Sequence, residues 1–245
     1  MNRIFIVAVG AAALVAATGV GLALAVSGPP LSGTMSGLPG YGSMMGGAAP
    51  PSWMTGGTLP RSMMGGGADP GKVMGAVLAT APGLRVSPEA AAHLGQQVPV
   101  GADVNRTRRR ITFHRSTVLL AAVASGPGTP MYSFEIAGMV NPTVVVPTGA
   151  HVSIEVVNRD GDMAHGLVVT AGGAGSSWMP MMTAAPAFEG AAVWVLGDPT
   201  SAGLHAATLR FTAGPPGSYE YLCPVPGHAA QGMVGTFTVT ADLDR

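Results

Sequence analysis

From about residue 110 onward, apolar residues recur at every second position, which is the periodicity of half-buried β-strands. Val152, Ile154 and Val156 share one face of such a segment, and the residues between them are polar. Similar apolar segments follow at short intervals, separated by turns that contain Gly or Pro. The pattern predicts strands at residues 111–113, 117–123, 134–136, 144–146, 152–156, 165–170, 192–196, 207–212, 218–223 and 235–240.

The connections between these strands are too short to contain the helical crossovers that a parallel sheet requires. Many short strands joined by tight turns are typical of two sheets packed face to face. The sequence therefore predicts an all-β fold, an antiparallel β-sandwich, over residues 106–245.

Two short helices are predicted upstream of the strands. Asp69 followed by Pro70 is a good N-cap and first turn, and Ser87 followed by Pro88 begins the second helix in the same way. Neither helix is long enough to be stable alone, so both are expected to pack against the following domain. The predicted helices span residues 70–79 and 88–97.

Residues 4–26 form one long apolar run that follows Arg3. Its length suits a membrane span, whereas Ala23-Leu24-Ala25 resembles the cleavage site of a signal peptide. We expect residues 1–27 to be a membrane anchor or a signal peptide, and the length favours the anchor. Under both interpretations the N-terminal positive charge places the rest of the chain in the periplasm or on the outer face of the plasma membrane.

Residues 28–68 are rich in Gly, Pro, Ser and Met and carry no periodic apolar pattern. Such a segment buries too little surface to offset the entropy of ordering it, so a flexible linker is expected. A compositionally biased linker and a transient Cu(I)-binding segment both fit, because thioethers are soft ligands but no fixed ligand spacing is present. The methionines are Met35, Met44, Met45, Met54, Met63 and Met64.

Composition narrows the functional classes. The 245 residues carry 12 basic and 12 acidic side chains, and the resulting net charge of zero argues against a nucleic-acid-binding protein. A single cysteine excludes a disulfide within the chain.

The predicted organisation is an anchor or signal peptide (1–27), a linker (28–68), a helical extension (69–105) and a β-domain (106–245).

The lone cysteine lies in a loop with metal-ligand spacing. Four residues separate Cys223 from His228, and four more separate His228 from Met233. Because Cys223 ends one predicted strand and Met233 precedes the next, the loop brings a thiolate, an imidazole and a thioether to one end of the sandwich. A second imidazole must come from another strand. His165, which begins a strand after a polar loop, is the preferred candidate, and His205 is the alternative.

Two imidazoles, a thiolate and a distant thioether are the ligands of a type 1, or blue, copper site. Thiolate and thioether are soft and stabilise Cu(I), whereas imidazole serves both oxidation states. A zinc site would use more Cys or His, or a carboxylate, and would not recruit Met. Copper oxidases need paired histidines or a second cysteine, and the sequence has neither a His-x-His pair nor a second cysteine. We therefore predict one copper ion per chain and no enzymatic activity.

The loop from Cys223 to Met233, with its two four-residue gaps, resembles the copper-binding loop of the cupredoxins. The similarity continues through shorter motifs from about residue 106 to the C-terminus. It implies a Greek-key β-sandwich with His165, Cys223 and His228 as equatorial copper ligands and Met233 as the axial ligand.

Hydrogen-bond donors are expected around the sulfur of Cys223. At Gly166 this chain has no side chain, whereas many cupredoxins have one that hydrogen-bonds the ligand loop. We expect the backbone N–H groups of Gly166 and Val225 to donate to the sulfur of Cys223. Such hydrogen bonds tune the reduction potential.

The resemblance implies a carrier that transfers single electrons by an outer-sphere mechanism. The ring edge of His228 is expected to reach the surface and to act as the electron port. Trp178, Met179, Met181 and Met182 fit an apolar docking patch around that histidine, as the resemblance implies, and they also fit ordinary core. The expected partners are redox proteins such as a cytochrome c or a terminal oxidase, with no nucleic acid and no small-molecule substrate.

A copper capture and delivery protein is the alternative function. It would use the same copper site together with the methionine-rich linker. Such a protein would exchange its metal readily and would transfer electrons slowly to a cytochrome, so these two rates distinguish the alternatives.

Overall fold

The computed structural model describes residues 69–126 and 128–241. These residues form two β-sheets packed face to face, together with a few short helices. The helices are α1 (Pro70–Leu78), α2 (Pro88–Gln96) and α3 (Pro180–Thr183). The strands are β1 (Leu84–Val86), β2 (Ala102–Asn105), β3 (Arg110–Phe113), β4 (Thr117–Ala124), β5 (Phe134–Ile136), β6 (Met139–Val140), β7 (Thr143–Pro147), β8 (His151–Asn158), β9 (His165–Thr170), β10 (Ala192–Leu196), β11 (Leu204–Thr212), β12 (Gly217–Leu222) and β13 (Val234–Thr240).

The first sheet has the strand order β1-β11-β8-β4-β5-β6, and the second has the order β10-β9-β12-β13-β7-β3-β2. Their facing sides enclose the main core because apolar side chains alternate along the strands. In β8, Val152, Ile154 and Val156 are buried while His151 is exposed, as the sequence pattern predicts. The phenylalanines of this core are Phe113, Phe134, Phe188, Phe211 and Phe237.

The predicted all-β sandwich is confirmed, but the prediction of antiparallel sheets is wrong. β4 pairs with β8, β3 with β7 and β7 with β13 in parallel, so both sheets are mixed. The chain between β4 and β8 passes through the second sheet as β7 and returns to the first sheet in the original direction. This crossing between layers replaces the helix that a parallel connection within one sheet needs. Connection length is therefore a poor guide to strand direction in this sandwich.

All ten predicted strands are present, and the predicted bounds of β5, β9 and β10 agree with the structure at both ends. The pattern does not predict β1, β2 and β6, which have only two to four residues each and show no clear alternation. Two of these strands belong to the extension that was expected to be helical. β1 pairs with β11, and β2 pairs with β3, so the extension adds an edge strand to each sheet.

Helices α1 and α2 begin where the sequence predicts. Asp69 Oδ1 accepts a hydrogen bond from the N–H of Gly71, and the Ser87 hydroxyl caps α2 in a similar way. None of the helices in the described part of the chain has the length and hydrophobicity of a membrane span. The predicted anchor or signal peptide and the predicted linker fall within residues 1–68, outside the described residues.

Candidate metal centre

Three metal-ligating side chains meet at one end of the sandwich. β9 begins at His165, and Cys223 follows the end of its antiparallel neighbour β12, so both residues lie at the same end of this strand pair. The loop then runs to His228 and through a 3-10 turn (Ala229–Gln231) to Met233. Two backbone hydrogen bonds close it: Cys223 N–H donates to Met233 O at 3.1 Å, and Met233 N–H donates to His228 O at 3.0 Å.

The donor atoms of His165, Cys223 and His228 face one another. The Cys223 sulfur lies 3.8 Å from His165 Nδ1 and 3.5 Å from His228 Nδ1, and the two Nδ1 atoms are 3.2 Å apart. All three side chains are buried. Two ring nitrogens and one sulfur converging out of contact with water fit a single metal ion.

Met233 adds a thioether to the surroundings of this group. Its side chain is fully buried and belongs to the same core cluster as Cys223. The backbone hydrogen bonds of Met233 to Cys223 and His228 fix its place in the loop. A thioether is a soft ligand that suits copper and is not typical of zinc sites.

Burial raises the pKa of the Cys223 thiol to about 12, although the backbone N–H groups of Gly166 and Val225 donate to the sulfur and favour the thiolate. A thiol with this pKa stays protonated at neutral pH unless a cation displaces the proton. A bound metal ion, rather than a change in pH, would therefore generate the thiolate in this site.

Burial, and then the neighbouring His165, lower the pKa of His228 to about 4. The ring of His228 is neutral at pH 7, which is the form of imidazole that binds a metal. Its Nε2 is buried and has no hydrogen-bond partner within the described residues. The inward-facing Nδ1 is thus the atom of His228 that is placed to bind a metal.

The outer nitrogen of His165 contacts two polar side chains that no sequence motif indicated. Asp160 Oδ2 lies 3.1 Å from His165 Nε2, and Ser125 Oγ lies 3.2 Å from it. Burial opposes ionisation of Asp160, but hydrogen bonds from His165 and from the N–H of Asp162 outweigh it and hold the pKa of Asp160 at about 2. Because a carboxylate only accepts hydrogen bonds, Nε2 carries a proton, and Nδ1 is the ring nitrogen that faces Cys223. The available sequence signal was a carboxylate five residues before the candidate histidine.

The expectation that the ring edge of His228 reaches the surface is wrong. His228 is only 1% exposed. Its ring packs against Tyr132, with ring centroids 5.0 Å apart, and against the first turn of α1, where a Cβ on Gly71 would lie 2.7 Å from Nε2. The N–H of Ala164 donates to Gly71 O at 2.9 Å and fixes this turn beside His165. The extension therefore covers the site, a contact between distant parts of the chain that local patterns do not indicate.

The predicted docking residues lie beside the ligand loop. Trp178, Met179 and Met182 are exposed, whereas Met181 is half-buried against the core. The N–H of Gly227 donates to Trp178 O at 2.7 Å, and the Trp178 ring lies over the Cα of Gly227. We call Trp178, Met179, Met181 and Met182 the apolar patch.

The absence of a side chain at Gly166 has a steric cause. A Cβ on Gly166 would collide with the backbone carbonyl groups of Val193 and Trp194 in β10. The pairing of β9 with β10 shifts register between Val193 and Leu196, at this same place. Only glycine allows the two backbones to approach so closely next to His165.

His205, the alternative candidate for the second imidazole, lies elsewhere. It is in β11, and its Nε2 donates to the carbonyl oxygen of Ala79 at 2.8 Å. It is not part of the group formed by His165, Cys223 and His228. The structure therefore brings His165, and not His205, to the cysteine.

A β-sandwich that gathers two histidines, a cysteine and a methionine at one end is the arrangement of a cupredoxin, the class of type 1 copper proteins. No protein-family model matches the chain. Rusticyanin of Acidithiobacillus ferrooxidans is 33% identical over 129 residues, which are 53% of this chain and 66%, slightly under two thirds, of that protein. A second rusticyanin sequence from the same organism is also 33% identical over 129 residues, and the match covers 80% of it. The solved structure of rusticyanin from Thiobacillus ferrooxidans is similar with a TM-score of 0.56 at 28% identity, over 64% of this chain and 96% of that one.

The chain belongs to the rusticyanin family of cupredoxins. Its cofactor is a type 1 copper ion, because the donor set of the site agrees with the family.

Proposed function

We propose that the protein is an extracytoplasmic electron carrier, not an enzyme, with His165, Cys223 and His228 as equatorial copper ligands and Met233 as the axial ligand. The observation that carries the proposal is the convergence of the first three side chains, all buried, beside the buried thioether. When bound, copper supplies a one-electron Cu(II)/Cu(I) couple. The protein supplies the ligands, their orientation and the exclusion of water.

Contacts within the protein hold the proposed ligand residues in place. Backbone hydrogen bonds tie Cys223 to Met233 and Met233 to His228. Asp160 and Ser125 fix the ring of His165. A site held in this way rearranges little when it gains or loses an electron, which favours fast outer-sphere transfer.

The surroundings of the ligands favour a high reduction potential. An apolar shell that excludes water disfavours the more highly charged oxidised state. Cys223, Val225 and Met233 all belong to the main hydrophobic core. In this proposal the N–H groups of Gly166 and Val225 withdraw charge from the sulfur and shift the potential in the same direction.

Electrons enter and leave through the apolar patch in this proposal, because α1 and Tyr132 cover the ring of His228. The patch is exposed, and its Trp178 contacts Gly227, the residue next to His228. A small apolar surface suits the weak, short-lived contacts of redox partners. We propose a cytochrome c or a terminal oxidase as the partner.

The burial of the ligands favours electron transfer over copper capture and delivery. A delivery protein must expose its ligands to hand over the metal, whereas His165, Cys223 and His228 are all buried here. Slow exchange of bound copper with a chelator, together with fast oxidation or reduction by a cytochrome c, is the expected result. Fast exchange and slow electron transfer would favour delivery instead.

The extracytoplasmic location is proposed from the sequence of residues 1–27, an apolar run preceded by Arg3. We propose that this segment anchors the protein or is cleaved as a signal peptide, and that residues 28–68 link it to the extension (69–105) and the copper domain (106–245). Fractionation of cells, followed by the intact mass of the protein, tests this part. A protein that stays in the cytoplasm at full mass would contradict it.

A matched pair of histidine variants tests the ligand assignment. His165→Ala is expected to abolish the blue colour of the copper-loaded protein, because it removes an equatorial ligand. His205→Ala should keep the colour, because His205 only donates to Ala79 O. Retention of full colour by the His165→Ala variant would refute the assignment.

A further inference from the structure

Asp160 is a buried carboxylate in direct contact with a ligand histidine. It is 8% exposed, and its Oδ2 lies 3.1 Å from His165 Nε2. We propose that Asp160 is a positioning residue that acts through His165 and lowers the reduction potential of the copper site. This inference rests on the proposed function, and it adds a residue that determines the driving force of the electron transfer.

The carboxylate is fixed on its other side. The N–H of Asp160 donates to Asn158 Oδ1 at 3.1 Å, and Asp160 Oδ1 accepts from the N–H of Asp162 at 3.1 Å. Asn158 is itself fully buried and donates to Met163 O at 2.8 Å. Asp160 therefore presents Oδ2 to His165 from a rigid loop.

The second contact of His165 Nε2 is an acceptor as well. The hydroxyl of Ser125 donates to the carbonyl oxygen of Met131, so its lone pairs face the imidazole N–H. The proton of Nε2 is thus shared between a charged acceptor and a neutral one. Both fix the tautomer, but only Asp160 brings a charge.

The charge determines the direction of the effect. A carboxylate that accepts from the outer N–H makes the imidazole a stronger electron donor and favours the oxidised, more positive state of the site. In a buried site such a charge is weakly screened. Asp162, two residues away, is exposed and paired with Lys72 at 2.7 Å, so its charge acts much less on the site. Asp160 thus opposes the apolar shell, which raises the potential.

Asp160→Asn is the direct test, because it keeps the size and an acceptor oxygen but removes the charge. We expect its equilibrium constant for reduction to rise roughly tenfold, which for a one-electron couple is about 59 mV. Asp162→Asn is the matched control and should change that constant less than about twofold. Ser125→Ala should likewise have the smaller effect, because no charge is removed.

A measurement on the copper-free wild-type protein tests the contact without redox chemistry. Nitrogen-15 NMR of the histidine rings should show His165 protonated at Nε2 and bare at Nδ1. The opposite tautomer would overturn the inference even if the Asp160→Asn variant did not fold. A blue Asp160→Asn protein with the wild-type potential would also overturn it while leaving the proposed function intact, whereas a wild-type protein that binds no copper would refute the proposed function itself.

Discussion

Gly71 lies directly over the ring of His228: a Cβ at position 71 would be 2.7 Å from Nε2 and 3.1 Å from Cε1 of that ring. The first turn of α1 and the ligand loop therefore form one packed surface. Asp69, which caps α1 through the N–H of Gly71, and Ala164, which donates to Gly71 O, hold the turn in place. The extension of this protein thus packs directly on the proposed copper site.

Gly71→Ala tests this contact. The added methyl group must push α1 or the ring of His228 aside, so we expect a loss of about 1–3 kcal/mol in the free energy of unfolding and a lower Tm. Thermal unfolding of the copper-free protein measures the effect. Val77→Ala, at an exposed position of the same helix, is the control and should change Tm little. Equal Tm values for Gly71→Ala and wild type would show that α1 does not press on His228.

Gly166→Ala tests the close approach of β9 and β10. The methyl group would meet the backbone carbonyls of Val193 and Trp194, which cannot rotate away as a side chain can. We expect a destabilisation of about 3 kcal/mol or failure to fold, measured by denaturant unfolding of the copper-free protein. Gly161→Ala, where a Cβ would meet nothing within 4 Å, is the control. A fully stable Gly166→Ala protein would contradict the geometry of this strand pair.

Met182→Lys tests the apolar patch as the docking surface. Met182 is 74% exposed, and a charge there would have to be desolvated when a partner binds. We expect the second-order rate constant of electron transfer with a cytochrome c to fall at least about threefold, with the visible spectrum unchanged. Leu119→Lys, which places the same charge at an exposed apolar position in β4, should leave the rate unchanged. If the two variants had equal rate constants, the apolar patch would not be the docking surface.

Asp198 predicts a pH dependence of stability. Its Oδ1 is buried without a hydrogen-bond partner among the described residues, and burial, then Asp162 and Asp160, raise its pKa from 3.8 to about 6. The native state therefore binds this proton more tightly than the unfolded chain does. The contribution of protonated Asp198 to the free energy of unfolding is fully present below about pH 4 and is lost as the pH rises through about 6.

We therefore expect the Tm of the wild type to fall relative to that of Asp198→Asn between about pH 4 and pH 7, because both proteins share the opposite contribution of His228, whose pKa is lowered. Glu189→Gln, which neutralises an exposed carboxylate, is the control for the loss of one negative charge. A Tm difference between wild type and Asp198→Asn that stays constant over this pH range would contradict the prediction.

The proposed ligand loop could be located in the sequence because its determinants are local. Cys223, His228 and Met233 follow one another at fixed spacings within a single turn between two strands. Choosing His165 took one further inference: the proposed site needs a second imidazole, and His165 begins a neighbouring strand. The structure brings His165, Cys223 and His228 together, with Met233 buried in the same core.

The remaining features depend on contacts between distant segments. The burial of His228 results from its contact with Gly71, and no periodic pattern records such a contact. The parallel pairing of β4 with β8 depends on the route of the chain between the two sheets, not on the residues of either strand. β1 is a strand because β11 pairs with it, since three residues alone carry no strand signal.

The visible spectrum of the purified, copper-loaded protein tests the central claim most directly. The account predicts one copper ion per chain and an intense blue absorption that arises from charge transfer between the Cys223 thiolate and Cu(II). This absorption should disappear reversibly when the protein takes up one electron. Cys223→Ser should lose the colour, because serine offers no sulfur. A wild-type protein that stays colourless when oxidised in the presence of copper, or a Cys223→Ser protein that remains blue, would contradict the account.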